Sequence, residues 1–113
     1  MISKKLLNKV LNKRVISYWF KEKNQLSIDC VDGNFIINVY ELAHRCKEWS
    51  IDLWKRGIYI AHSGLTCNKQ GFASIFISEE RTTDCAYIEK EFYADSEPEA
   101  IFKACEYILK KLK

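Results

Sequence analysis

The sequence predicts an α+β domain in the order αβββαβββα: an antiparallel sheet of five to six strands with helices on both faces, a three-layer α/β/α sandwich. Three observations predict it. Segments with apolar residues at helical spacing alternate with two blocks of β-branched and aromatic residues. The links between strands are short and rich in Gly, Asn, Asp and Ser, which suits hairpins rather than parallel crossovers. Several strands also carry apolar residues on both faces, as a sheet covered on both sides requires. Ile16, Tyr18 and Phe20 oppose Val15 and Trp19, and Phe72 and Phe76 oppose Ala73, Ile75 and Ile77.

The first helix is read from Ser3 as N-cap and from Ile2, Leu6, Leu7, Val10 and Leu11 on one broad face. Val15 to Phe20 is dense in β-branched and aromatic residues and reads as the first strand. Lys23-Asn24-Gln25 makes a turn, after which Leu26, Ile28 and Cys30 alternate with Ser27 and Asp29. Asp32-Gly33 signals a hairpin into a third strand through Phe35, Ile36 and Ile37. Asn38 then caps a central helix, with Glu41 three positions on as in a capping box. Its core stripe is Val39, Leu42, Ala43, Cys46, Trp49 and Leu53, and Gly57 is placed to stop it at C′. Strands follow at Ile58 to His62, Phe72 to Ser78 and Cys85 to Phe92. Ser96, Pro98 and Glu99 start a last helix whose buried face is Ile101, Phe102, Cys105, Ile108, Leu109 and Leu112.

The 113 residues suit one domain spanning 1–113. Hydrophobic residues at 48% and charged residues at 29% are ordinary globular values and exclude a disordered chain. Net charge is +3 and the pI is near 8.6, below the value of roughly 9 at which clustered basic residues mark a dedicated nucleic-acid binder. Five scattered cysteines, Cys30, Cys46, Cys67, Cys85 and Cys105, include no Cys-x-x-Cys pair, so neither a disulfide framework nor a structural zinc site is expected. The N-terminus lacks the continuous apolar stretch of a signal peptide, and no window has the ~20 apolar residues of a membrane span. A reduced, cytoplasmic protein with no cofactor and no membrane partner is the expectation.

The segment Ala94-Asp95-Ser96-Glu97-Pro98-Glu99-Ala100-Ile101-Phe102-Lys103-Ala104-Cys105 resembles the C-terminal part of small phage and prophage proteins of the phage ABA-sandwich type. Asn38-Val39-Tyr40-Glu41-Leu42-Ala43-His44-Arg45-Cys46-Lys47-Glu48-Trp49 resembles their central helix. Together the two segments cover about a quarter of the chain. The resemblance implies a phage or prophage origin, a bacterial host cytoplasm as location and a sandwich fold. It implies no catalytic residues.

Four sets of residues are candidates for function. Tyr40, Ile51 and Trp54 lie on a flank of the central helix beyond its core stripe, where aromatic residues suit a protein interface. The competing reading packs this flank against another helix of the domain. Lys5 and Lys9 on the first helix, with Lys110 and Lys111 on the last, would meet nucleic-acid phosphates if those helices were neighbours. Lysines there also serve solubility and complement the last helix's dipole, and that reading is preferred. Cys67, with His62 as base and Asp84 as orienter, is the one arrangement for nucleophilic catalysis, against a plain loop cysteine. Carboxylates at Glu79, Glu80 and Asp84, and at Glu89 and Glu91, lack a further ligand at metal spacing and read as solvated. His44 reads as a surface histidine. The leading expectation is a non-enzymatic protein that binds a host or phage protein, inhibition of a host defence or regulatory system being one version. A nucleic-acid module and a Cys67 enzyme are the alternatives.

Overall fold

The computed structural model describes residues 2–53, 57–80 and 85–112, with the side chains of 78–80 and 85–88 left aside. Helix α1 (Lys4–Leu11) leads into strands β1 (Val15–Glu22), β2 (Gln25–Cys30) and β3 (Gly33–Asn38). Helix α2 (Val39–Ile51) leads into β4 (Ile58–Leu65), β5 (Gly71–Glu80) and β6 (Cys85–Ala94), and α3 (Glu97–Lys111) ends the fold. The predicted order is therefore present. Local chemistry sets the helix boundaries. Ser3 caps α1 by accepting from the Leu6 amide at 3.1 Å, and Asn12 closes it in the left-handed region at φ 53°. Asn38 caps α2 through the Tyr40 amide at 2.8 Å, while Glu41 pairs with Arg45 at 3.5 Å instead of returning to the cap. Gly57 has a positive φ of 76°, yet α2 has already stopped at Ile51, so Gly57 is not its C′ residue.

The six strands do not form one sheet. They separate into two antiparallel meanders, β1-β2-β3 and β4-β5-β6. The helix α2 that joins them packs on α1, α3, β3 and β4. Its buried Ser50 accepts a hydrogen bond from the Ile60 amide at 3.2 Å and donates to the Lys47 carbonyl at 2.8 Å. The Ile60 amide therefore finds its partner in a helix. Ser50→Ala should strand that amide without water and lower folding stability by about 1–3 kcal/mol in denaturant unfolding.

Helix α3 lies along all three strands of the second sheet, and α1 lies on β1. Leu6 and Leu7 of α1, Leu42 and Cys46 of α2, Cys105 and Ile108 of α3, and Leu26, Ile28 and Ile75 of the strands are fully buried in one cluster. At roughly 1.5–3 kcal/mol for each large apolar side chain, this cluster is the main source of stability. The N-terminus is fixed to it by polar contacts. Glu106 accepts from the Ser3 amide at 2.8 Å and from its hydroxyl at 2.7 Å, and the Tyr18 hydroxyl donates to the Ile2 carbonyl. Burial, with the Glu106 charge nearby, raises the Tyr18 phenol above its ordinary pKa and keeps it a donor.

The molecule measures 50 × 35 × 16 Å over its Cα atoms. Helices on both sides of a sheet would need about 25 Å of thickness, from ~10 Å per layer and a helix Cα radius of about 2.3 Å at each side. A depth of 16 Å accommodates one layer of sheet and one of helix. The radius of gyration, 15.0 Å, exceeds the roughly 13 Å of a compact chain this long, as a flat shape requires. The expected third layer is absent among the described residues.

Candidate functional site

The residues that predicted a second helix layer occupy the opposite face of each sheet. In the first sheet a bulge at Ile16 resets the alternation, so Val15, Tyr18 and Phe20 face the helices while Ser17 and Trp19 face away. Trp19, Ser27 and Ile36 stand side by side across β1, β2 and β3. Trp19 is 50% exposed and Ile36 49%, while Ser27 between them is only 9% exposed. Large apolar groups thus roof a small polar one. Below them, Ser17, Asp29 and Asn34 form a polar row.

The second sheet repeats the arrangement. Ile58, Ile60, Ala73 and Ile75 are buried. On the other face the rows are Tyr59–Phe76–Glu89, His62–Ser74–Glu91 and Gly64–Phe72–Tyr93. The Tyr59 and Phe76 rings meet in a tilted contact with centroids 5.9 Å apart, and Phe72 lies over Gly64, where an added Cβ would meet its ring at 3.3 Å. The Ser74 hydroxyl donates to Glu89 at 2.6 Å, and the Tyr93 hydroxyl donates to Glu91. That bond, more than burial, raises the Tyr93 phenol above its ordinary pKa. Glu89 and Glu91 therefore share a face, as their spacing predicted, but each serves a neighbouring hydroxyl. Glu79, Glu80 and Asp84 lie outside the residues whose side chains are described.

Tyr40 and Ile51 are exposed, at 55% and 48%. They are eleven positions apart on the helix, about 16 Å, with His44 and Lys47 between, so they do not form one contiguous patch. Trp54 lies outside the described residues. Trp49 and Leu53 are half-buried and pack on the edge of the core. His44 is exposed and sits 3.3 Å from Glu48 on the helix surface.

His62 and Cys67 are not brought together. Cys67 lies in the turn after β4, which is closed by the Lys69 amide on the Thr66 carbonyl at 2.9 Å. At about 3.3 Å per residue, His62 to Thr66 alone spans ~13 Å of strand, well beyond hydrogen-bond reach. Among the described residues no group of three His, Cys, Asp or Glu could hold a metal ion. Cys30, Cys46 and Cys105 are buried and Cys67 is exposed, all as free thiols. Contact with Cys46, then burial, holds the Cys105 thiol well above its ordinary pKa, so it is present as unreactive thiol. Thiol-reagent labelling of the native protein, read by peptide mass, should therefore modify Cys67 and spare Cys30, Cys46 and Cys105 until unfolding.

The basic residues are in part committed elsewhere. Lys13 pairs with Asp32 at 3.2 Å, Lys103 donates to the Tyr93 carbonyl at 3.0 Å, and the Lys111 ammonium sits over the Tyr107 ring at 5.5 Å. Lys9 lines a shallow, mixed-charge cleft with Arg45, Glu48 and Asp52, and Lys110 is exposed. The helices bearing Lys5, Lys9, Lys110 and Lys111 touch, with Ser3 bonded to Glu106 where they meet.

A cleft of about 600 Å³ opens where the β1–β2 turn meets the starts of α2 and α3, with Phe20, Tyr40 and Phe102 among its lining residues. Sequence reading missed Trp19, Ile36 and this cleft as a site. The alternation of β1 groups Trp19 with Val15, and only the bulge at Ile16 sets the two on opposite faces. No described helix is long and apolar enough to cross a membrane. No family model, curated protein or solved structure matches the chain.

Proposed function

We propose that this chain is a non-enzymatic protein-binding module that uses the helix-free face of its sheets, centred on Trp19 and Ile36. One observation carries the reading: a tryptophan and an isoleucine in one row, each about half exposed, on the sheet face opposite the helices. Exposed Trp ringed by polar side chains is the usual composition of an interface hot spot. A pleated surface presents it rigidly, so little conformational entropy is lost on docking. The aromatic rows of the second sheet, Tyr59–Phe76 and Phe72–Tyr93, provide further contact area beyond that centre. Tyr40 and Ile51 on α2 belong to the proposal as separate exposed positions, and Trp54 belongs to it from the sequence alone, since it lies outside the described residues.

The resemblance of residues 38–49 and 94–105 to phage ABA-sandwich proteins supports a host or phage protein as the partner, with inhibition of a host system as one version. Affinity capture from a bacterial lysate, with and without nuclease, tests the class of partner. A protein retained after nuclease by the unmodified chain and lost with Trp19→Ala is the expected result. Retention that depends on intact nucleic acid contradicts it.

A further inference from the structure

We infer that the cleft between the β1–β2 turn and the starts of α2 and α3 binds a small organic ammonium with an aromatic body, independently of the sheet face. Its volume of about 600 Å³ falls within the range of roughly 300–1,000 Å³ that small-molecule sites occupy. Leu26 and Phe102, buried in the core, contribute to its apolar lining. Phe20 and Tyr40 also line it, and both keep about half of their surface free, at 49% and 55% exposed. Two aromatic side chains left open beside an apolar lining suit a flat, apolar ligand body.

The charges decide the head group. Asp95 and Glu99 line the cleft from the α3 side and Lys23 from the turn, so the lining is net negative. Neither carboxylate forms an ion pair among the described residues. Two helices begin here, which by itself would favour an anion. Three of their first-turn donors are already taken, however. The Val39 amide donates to the Asn24 carbonyl at 2.8 Å, the Tyr40 amide to Asn38 at 2.8 Å and the Glu99 amide to Ser96 at 3.4 Å. Against the single Lys23 ammonium, the cleft offers a ligand two carboxylates and two exposed aromatic rings, and both attract an ammonium.

Tryptamine and indole-3-propionate test this, because they share a ring and nearly a chain length but carry opposite charges. Titration calorimetry at low salt should show tryptamine binding at least tenfold tighter than the propionate. The double variant Asp95→Asn/Glu99→Gln should remove that preference, and Tyr40→Ala should weaken tryptamine at least fivefold, with thermal unfolding of each variant near that of the parent. Equal binding of the two probes, binding of neither, or a preference that survives the double variant overturns the inference.

Discussion

Gly71→Ala is expected to cost about 3 kcal/mol or more and to leave little folded protein at 37 °C. Gly71 pairs with Leu65 and Ala94 at the start of β5, and its backbone runs directly against the first turn of α3. A Cβ at this position would lie 2.0 Å from the Ser96 carbonyl carbon and oxygen and 2.4 Å from the Glu97 amide nitrogen. These are backbone atoms, which no rotamer change can move aside. Relief requires α3 to lift from the second sheet, and α3 carries Ile101, Phe102, Cys105 and Ile108 of the core. Overpacking ordinarily costs 1–3 kcal/mol, and a clash with backbone belongs at or above the upper end. Urea unfolding of the variant measures it. A loss below about 1 kcal/mol would show that the α3–β5 approach is looser than described.

Much of this fold was legible in the sequence because its local signals agree. Ser3, Asn38 and Ser96 each cap a helix, and each stands before an apolar run of helical period. The buried stripes of α1 and α3 largely follow the periodicity, although Val10 and Leu112 are only partly buried and Pro98, Ala100 and Ala104 join the buried face. The sheet was less legible. Strand pairing across α2 depends on non-local contacts, and nothing in the β3 or β4 sequence states whether those strands meet or stop at the helix. The layer count follows from widths. Three helices at about 10 Å each cover roughly 30 Å, and six strands at about 4.8 Å span a similar width, so the helices suffice for one face only. Apolar residues on both faces predict helices on both sides, whereas among the described residues the helices pack on one side of each sheet.

The candidate site divides in the same way. Tyr40 and Ile51 are exposed because a helical wheel decides which side of α2 they take. His62 and Cys67 looked close because six residues of sequence are a short interval, but extended strand makes that interval long in space. The cleft at Phe20 was invisible because its lining comes from the N-terminus, the β1–β2 turn and two helix starts, brought together only by the fold.

Trp19→Ala is expected to weaken partner binding by about 2 kcal/mol or more, roughly thirtyfold, while costing about 1 kcal/mol or less of folding stability. The asymmetry follows from position. Half of the Trp19 side chain already faces water, so its removal opens little cavity. Leu42 on α2 is fully buried, and Leu42→Ala should cost about 2–5 kcal/mol of stability while leaving the sheet face intact in the molecules that remain folded. The most direct measurement is to determine, for Trp19→Ala, Leu42→Ala and the parent, both the urea midpoint and the dissociation constant for the captured partner. The predicted result is a Trp19→Ala protein with a near-parental midpoint and a dissociation constant raised about thirtyfold. A Trp19→Ala protein that binds as the parent does, or that unfolds as readily as Leu42→Ala, would contradict the assignment of this sheet face as the interface.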